Sequence, residues 1–249
     1  MIMAKDLSTR YGTIDTVRAI AIINMVVFHF LYDYFAMAGA LGAFVFNTAV
    51  IIWERFICIT FIVISGVSLN FTRNGYLRGL IVLLCGFAVT AVTYFFMPEQ
   101  LILFGVLSFL GCAMILTYAL RGLFLRINPW AGAAVSLVLF ILFYHIPDGY
   151  IGLFSLRLVD LPPALYETGR LAWLGFPAKD FASADYFPLL RWIFLYISGY
   201  FLWGGIKRTG LDAYLRKSVP VLGFIGRHSL LIYMIHQPVL YGICCLFFL

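Results

Sequence analysis

Four ionisable side chains follow one another along the first apolar stretch of the chain, at Asp15, Arg18, His29 and Asp33. His29 follows Arg18 by eleven positions, which is close to three whole helical turns, so both side chains project from one helix face. Asp15 lies about one turn before Arg18, and Asp33 lies about one turn after His29. An ionisable residue inside a membrane span is costly unless it faces a cavity or a partner. This face is therefore predicted to be a functional site.

The order of these groups suggests acid–base chemistry. At a rise of about 1.5 Å per residue, His29 lies about 16 Å beyond Arg18, near the middle of the membrane. A carboxylate one turn away, at Asp33, would orient His29 and raise its basicity as a general base needs. We expect a tunnel from a cationic mouth at Arg18, past Ile22 and Met25, to His29. The alternative stays open that Arg18 snorkels to headgroups, Asp15 caps the helix and His29 bonds a neighbouring helix.

A second polar cluster opens the last apolar stretch, between Gly226 and Pro238. One helix face carries four polar side chains at helical spacing, namely Ser229, Tyr233, His236 and Gln237. His236 lies about 12 Å into this stretch, so its imidazole is expected to approach the depth of His29. A polar seam that joins two helices, with a kink at Pro238, is the other interpretation.

The elements that carry these clusters are transmembrane helices. Hydrophobic residues make up 63% of the chain and charged residues only 11%, a balance typical of multi-span helical membrane proteins and not of soluble domains. A span needs about 20 apolar residues. This criterion predicts an all-α bundle with seven helices: 19–40, 51–71, 77–97, 101–120, 130–146, 187–204 and 230–249. The stretch 149–176 is a candidate for a further, re-entrant or interfacial helix, which would make eight.

The cationic residues predict the orientation of the bundle, because short cytoplasmic loops collect Lys and Arg. They fall on the side of the N-terminus and of the even-numbered connections: Lys5, Arg10, Arg73, Arg78, Arg121, Arg126, Lys207, Arg208, Arg216, Lys217 and Arg227. The N-terminus is therefore predicted to be cytoplasmic. This bias accounts for the net charge of +6, so no nucleic-acid partner is expected. A cleaved signal peptide ending near Ala38–Ala40 is the weaker alternative, since it has no use for His29 and Asp33.

Two further polar residues are candidates for contacts with a substrate. Ser108 lies in the fourth predicted span at a depth comparable to that of His29, although it could be only a hydroxyl bonded to its own helix. Asp185 stands at the outer end of the sixth span among aromatic residues and Arg191, where interface anchoring explains the aromatic residues alone. The five cysteines lack metal-ligand spacing, and no metal site is expected.

Several of these segments together resemble a known family. They are Ile14–Arg18, His29–Asp33, Phe61–Ser68, Phe104–Leu107, Ala184–Leu189 and Gly226–Pro238. The chain resembles the bacterial branch of the heparan-alpha-glucosaminide N-acetyltransferase catalytic domain family, from about Arg10 to Tyr241. The wider superfamily of transmembrane acyltransferases is similar in having an arginine and a histidine at about the spacing of Arg18 and His29.

The resemblance implies one transmembrane acyltransferase domain over residues 1–249, in the plasma membrane, which is the inner membrane of a bacterium. It would take an acetyl group from cytoplasmic acetyl-CoA and deliver it to a sugar or amino-sugar acceptor at the outer side. The implied catalytic residues are His29, Asp33 and His236. The guanidinium of Arg18 would meet the phosphates of CoA. The residues assigned to binding CoA are Arg18, Asp15, Arg227 and His228, and those assigned to the acceptor are Asp185, Gln237 and Ser108. Besides lipid, donor and acceptor, a homodimer partner is left open.

Two other functions stay open at this point. Proton-coupled carriers also place His and Asp inside membrane spans, although such carriers usually contain internal repeats, and the halves of this chain show no convincing similarity. In a non-catalytic membrane subunit, the same polar residues would only join helices.

Overall fold

The computed structural model describes residues 11–217 and 219–248, without the side chain of Phe248. Lys5 and Arg10, which entered the prediction of orientation, lie outside these residues. The described part of the chain forms α-helices joined by short connections and a single β-hairpin. The helices are α1 Gly12–Met37, α2 Leu41–Val45, α3 Thr48–Leu69, α4 Gly75–Phe96, α5 Val106–Phe124, α6 Pro129–Phe143, α7 Leu189–Arg208, α8 Pro220–Arg227 and α9 Ser229–Phe248.

Seven helices in the described ranges are long and apolar enough to cross a membrane. They are α1, α3, α4, α5, α6 with its extension to Asp148, α7 and α9. Each corresponds to one of the seven predicted spans, with ends shifted by a few residues. The prediction of an all-α polytopic bundle is confirmed.

The connection between α6 and α7 differs from the prediction of a further helix. Strands β1 (Tyr150–Leu153) and β2 (Leu156–Asp160) pair there as an antiparallel hairpin, followed by short 3₁₀ turns at Pro163–Tyr166 and Ala172–Leu174. Gly149 adopts a left-handed conformation with φ of 91°, which ends the preceding 3₁₀ turn and starts β1. Glycines and prolines recur too closely in this connection for a helix to propagate. The prediction of an eighth helix in this stretch is therefore wrong.

The described residues group into two compact units. The first contains the described residues of Met1–Ile64 together with Thr209–Leu249, and the second contains Ser65–Arg208. In the first unit, α1 packs against both α8 and α9. Gly226 makes the approach of α8 possible, because a Cβ atom there would overlap the backbone oxygen of Asp15.

The second unit is built from two helix pairs, α4 with α5 and α6 with α7. Glycine lets each pair approach closely. A Cβ atom at Gly111 would lie 2.6 Å from the backbone nitrogen of Leu83, and one at Gly132 would lie 2.7 Å from the Phe201 ring. Small residues at such contacts are typical of membrane helices, whose association gains little from burying apolar surface that lipid would also cover.

One end of the second unit collects cationic residues, in agreement with the pattern of charges in the sequence. The Tyr118 hydroxyl donates a hydrogen bond to the Arg73 carbonyl oxygen at 3.2 Å. The Arg121 guanidinium carbon lies 3.7 Å from the centroid of the same Tyr118 ring. The connection from α3 to α4 and the C-terminal end of α5 therefore lie at one end of this unit, as expected for two loops on the same side of a membrane.

Candidate functional site

Two histidine rings meet where α1 packs against α9 in the first unit. The ring centroids of His29 and His236 are 5.0 Å apart, and the ring planes are inclined by 57°. The sequence predicted that these imidazoles approach the same depth, and the structure brings them into contact. His236 is buried, with 8% of its surface exposed.

The hydrogen bonds of His236 determine which of its nitrogens is available. Its Nδ1 atom lies 2.6 Å from the backbone oxygen of Tyr233. A carbonyl oxygen only accepts, so Nδ1 carries the proton and donates it. In the neutral ring, Nε2 then holds a lone pair. This atom is buried and has no hydrogen-bond partner among the described residues. The backbone of α9 therefore presents a buried base beside His29.

Asp33 has a different partner from the one that the sequence predicts. Its two carboxylate oxygens accept hydrogen bonds from Gln237 Nε2, at 3.0 and 3.1 Å. No hydrogen bond joins Asp33 to His29 in the described part of the chain, so the prediction that Asp33 orients His29 is wrong. The physical reason is that α9 lies against this face of α1 and brings an amide donor within hydrogen-bond distance of the carboxylate. Asp33 thereby fixes Gln237.

One polar atom of Gln237 has no hydrogen-bond partner after this interaction. Its Oε1 atom is buried and has no hydrogen-bond partner among the described residues. Since Gln237 directly follows His236 in α9, the seam between α1 and α9 contains two buried acceptors, His236 Nε2 and Gln237 Oε1, that lack donors. Buried acceptors without donors are costly, and a ligand that brings N–H or O–H groups would satisfy them.

Arg18 lies between α1 and α8. Its Nη1 atom is 2.9 Å from Asp15 Oδ1 and 3.2 Å from the backbone oxygen of Gly226. The exposed fractions of the Arg18 and Asp15 side chains are 15% and 14%, so the guanidinium does not extend freely into lipid. Asp15 and the C-terminal carbonyl of α8 hold it in place.

The two side chains predicted to line a tunnel between Arg18 and His29 are packed instead. Ile22 and Met25 form a core with Ile57, and α8 and α9 contribute Ile225, Ile232 and Tyr233 to its rim. Ile22 has no exposed surface. The prediction of an open tunnel is wrong for this structure, because these apolar side chains fill the space. A ligand that extends from Arg18 to His29 must displace them.

Arg227 and His228 are exposed at the C-terminal end of α8. His228 Nδ1 lies 2.9 Å from the Phe224 backbone oxygen, and the His228 ring packs on the Phe224 ring with centroids 4.3 Å apart. His228 therefore ends this helix. Arg227 directly follows Gly226, the residue that contacts Arg18, so both arginines belong to the same end of α8.

Asp185, predicted to meet the acceptor, caps a helix of the second unit. Its Oδ2 atom accepts a hydrogen bond of 3.0 Å from the backbone nitrogen of Val106, the first residue of α5. A carboxylate at this position also interacts favourably with the helix dipole. Asp185 thus anchors the connection that precedes α7 to the start of α5.

Ser108, the other predicted acceptor contact in the second unit, lies where α4 crosses α5. It is buried, and a Cβ atom at Gly86 would lie 2.5 Å from its Oγ atom and 2.6 Å from its backbone nitrogen. This position is that of a small packing residue.

Two polar pairs in the first unit did not enter the sequence prediction. Asn24 Oδ1 on α1 accepts a hydrogen bond of 3.0 Å from Trp53 Nε1 on α3. Arg55 Nη1 lies 3.8 Å from Glu54 Oε1, and both side chains are partly exposed within α3. The signal was present in the sequence, since charged residues inside an apolar stretch mark candidate sites here as they do at Arg18.

A comparison with protein families gives one result for this chain. The family model described as "Heparan-alpha-glucosaminide N-acetyltransferase, catalytic" matches residues 10–238. The match includes Arg18, His29, Asp33, His236 and Gln237. No curated protein and no solved structure matches the chain.

Proposed function

The chain belongs to the heparan-alpha-glucosaminide N-acetyltransferase catalytic family, and from this premise we propose that it transfers acetyl groups across the plasma membrane. The donor is acetyl-CoA on the cytoplasmic side, and the acceptor is a sugar or amino sugar that reaches the site from the other side. The sidedness of the proposal follows from the positions of the cationic residues in the sequence.

The contact of His29 with His236 is the observation that carries the proposal. Nδ1 of His236 is engaged by the Tyr233 backbone, which leaves the buried lone pair of Nε2 available. An imidazole in a fixed tautomer is a suitable general base. Two imidazolium ions with centroids 5.0 Å apart would repel each other, so the neutral pair takes up one further proton and not two.

Acetyl transfer requires a group that takes up one proton and later gives it back, as the histidine pair can. The amine or hydroxyl of the acceptor attacks the carbonyl carbon of the thioester, and its proton passes to the histidine pair. The carbon–sulfur bond breaks, and the departing CoA thiolate takes the proton from the imidazolium. The pair returns to its neutral state and nothing else is consumed.

The neighbours of the histidines support a sugar-like acceptor. Gln237 Oε1 is a buried acceptor without a donor, and Asp33 fixes the other end of the same amide. Hydroxyl and amino groups of a sugar are the donors that this oxygen needs. The roles predicted from the sequence for Ser108 and Asp185, which belong to the second unit, stay predictions that the activity of substituted proteins can test.

The donor is assigned to the other end of α1. The guanidinium of Arg18, together with Arg227 at the end of α8, suits the phosphates of CoA. The acetyl group travels at the end of the long pantetheine arm, so the CoA moiety stays at the mouth. For the arm to reach His29, Ile22 and Met25 must change their packing, which implies that donor binding is accompanied by movement of these side chains.

Substitutions at the two ends of α1 test the proposal. In an assay of CoA release from acetyl-CoA with glucosamine as acceptor, we expect His29→Ala and His236→Ala each to lower kcat by about 100-fold to 10,000-fold. CoA binding should stay within about twofold of the unsubstituted protein. The double variant should be no worse than the single variants, because residues that act as a unit are not additive.

Arg18→Ala should show the opposite pattern. It should weaken CoA binding, and by less at high salt, where screening has already reduced the attraction. His145→Ala is the matched control, since His145 bonds Asp148 in the connection after α6 and should leave both quantities unchanged. Normal turnover of the His29→Ala protein would refute the base assignment. Absence of CoA binding at millimolar concentration would refute the donor.

A proton-coupled carrier is the second candidate, and the buried carboxylate of Asp33 inside a membrane span is the observation that favours it. Counterflow of a labelled amino sugar in liposomes, without any chemical change, would identify a carrier. Acetylation of the same solute would identify the enzyme.

A further inference from the structure

Arg191 is a cation for which the described residues provide no hydrogen-bond acceptor. It is the third residue of α7, in the second unit. Its guanidinium carbon lies 3.8 Å from the centroid of the Tyr144 ring and 5.4 Å from that of Trp192. Its Nε atom is buried without a hydrogen-bond partner, and in the described part of the chain no carboxylate pairs with its guanidinium.

The position in the helix makes this arrangement unfavourable for a cation alone. The N-terminus of a helix carries partial positive charge, which favours anions and disfavours an arginine. The first turn of α7 contains no acidic residue that would compensate. The preceding acid in the sequence, Asp185, is bonded to the start of α5. The described residues therefore provide no negative charge to balance the arginine at this position.

The surroundings of Arg191 are partly buried and contain a second donor without a hydrogen-bond partner among the described residues. Trp192 has only 1% of its surface exposed, and its Nε1 atom is buried without a hydrogen-bond partner. The Tyr186 hydroxyl donates to the Ala172 backbone oxygen at 2.5 Å. Burial raises the pKa of Tyr186 above its usual range, and the charge of Arg191 partly opposes this effect. Aromatic rings thus hold the guanidinium without using its N–H groups.

Arg157, another arginine of the same unit, shows which interaction Arg191 lacks. The Arg157 guanidinium also lies over a tyrosine ring, with its carbon 4.7 Å from the centroid of Tyr150. Unlike Arg191, it has a carboxylate nearby, since its Nη1 atom is 3.7 Å from Asp160 Oδ1. Both side chains combine an arginine with an aromatic face. Of these two arginines, only Arg157 has a counter-ion among the described residues.

We propose that Arg191, whose guanidinium lies over the Tyr144 ring and beside Trp192, is a binding site for a phosphate group at the end of the second unit that the charge pattern assigns to the outside. The planar fork of a guanidinium binds phosphate through two parallel hydrogen bonds, and the start of α7 adds a favourable dipole. The phosphate belongs either to the headgroup of an anionic lipid or to a soluble molecule. This site goes beyond the proposed acetyl transfer and does not depend on it.

Binding of two probes to the purified full chain tests the site. The lipid probe is phosphatidylglycerol, measured as bound lipid by native mass spectrometry. The soluble probe is inorganic phosphate, measured by calorimetric titration in a neutral detergent. We expect Arg191→Gln to weaken the binding of at least one probe by about tenfold or more, because charge-assisted hydrogen bonds are lost. Arg191→Lys should fall between, since an ammonium keeps the charge without the fork.

Arg157→Gln is the matched control and should bind both probes as the unsubstituted protein does. Selective loss of phosphatidylglycerol identifies a lipid site, and selective loss of phosphate identifies a site for a soluble anion. The proposal is overturned if the unsubstituted protein binds neither probe, or if Arg191→Gln binds both unchanged. Should Arg191→Gln fail to fold, the comparison of Arg191→Lys with the Arg157→Gln control decides between the same outcomes.

Discussion

Two helix contacts, one in each unit of this protein, are formed by different kinds of residue. In the second unit, glycines such as Gly86 and Gly111 bring the backbones of α4 and α5 into contact. In the first unit, the contact of α1 with α9 contains His29, Asp33, His236 and Gln237. Small residues are the ordinary means of joining membrane helices, whereas buried polar groups are costly and persist where they have a use. This contrast supports the proposal that the chemistry takes place at the contact of α1 with α9, whereas the contact of α4 with α5 is structural.

The polar seam of the first unit is also only partly satisfied. Asp33 and Gln237 complete part of each other's hydrogen bonding, but the part of the chain that the structure describes provides no donor for His236 Nε2 or Gln237 Oε1. A seam that served only to join helices would be expected to pair its groups with one another. The unmet atoms are the reason to expect a ligand at this contact.

The largest effect on stability is expected from separating the two members of the buried amide–carboxylate pair. Gln237→Leu leaves the Asp33 carboxylate buried without its donor, which should lower the free energy of unfolding by about 3 kcal/mol. The double variant Asp33→Leu with Gln237→Leu removes both partners and should recover most of this loss. Unfolding in a graded detergent titration measures both. If the single variant is as stable as the unsubstituted protein, the pair does not hold α9 to α1.

A smaller effect is expected from disturbing the glycine contact of the second unit. Gly111→Ala places a Cβ atom 2.6 Å from the backbone of Leu83, which cannot move without separating the helices. We expect a loss of about 1–3 kcal/mol in the free energy of unfolding, as for other overpacked contacts. Gly122 is the matched control on the same helix, because no atom lies within 4 Å of a Cβ at that position.

The Gly122→Ala protein should be unchanged or more stable, by up to about 1 kcal/mol, since alanine is the better helix former. Equal stability of the Gly111→Ala and Gly122→Ala proteins would contradict the difference drawn between the units. It would mean that α4 and α5 are held together by something other than close contact of their backbones.

The sequence predicts the seven spans and the meeting of His29 with His236, because both follow from helical periodicity and from the length needed to cross a bilayer. Periodicity gives the face on which a side chain lies and not its hydrogen-bond partner. Periodicity therefore pairs Asp33 with His29, its neighbour on α1, whereas the donor to Asp33 is Gln237 on α9. Likewise, the bond from Val106 to Asp185 joins residues that are distant in sequence, which no local pattern reveals.

The short connections are less predictable for a related reason. The hairpin of β1 and β2 is brief, and its second strand, which is exposed along its whole length, alternates apolar and charged residues only from Leu156 to Leu158. The hydrophobic scan registers this stretch only as a gap between spans. Gly149, with its positive φ, is the residue that could have indicated a turn instead of a helix start.

The smallest effect is expected at Ser108, where a substitution distinguishes a packing role of the buried hydroxyl from a contact with the acceptor. Ser108 faces Gly86 at the contact of α4 with α5, which is the place of a packing residue, although the sequence also makes it a candidate for the acceptor. If it only packs, Ser108→Ala should change the KM for glucosamine by less than about twofold and the free energy of unfolding by less than about 1 kcal/mol. Thr117→Val on the same helix is the control, because the Thr117 hydroxyl oxygen is buried and has no hydrogen-bond partner among the described residues. A rise of about tenfold in KM for Ser108→Ala alone, with unchanged stability, would show that Ser108 contributes to binding of the acceptor. The proposal that only residues of the first unit carry the chemistry would then be wrong.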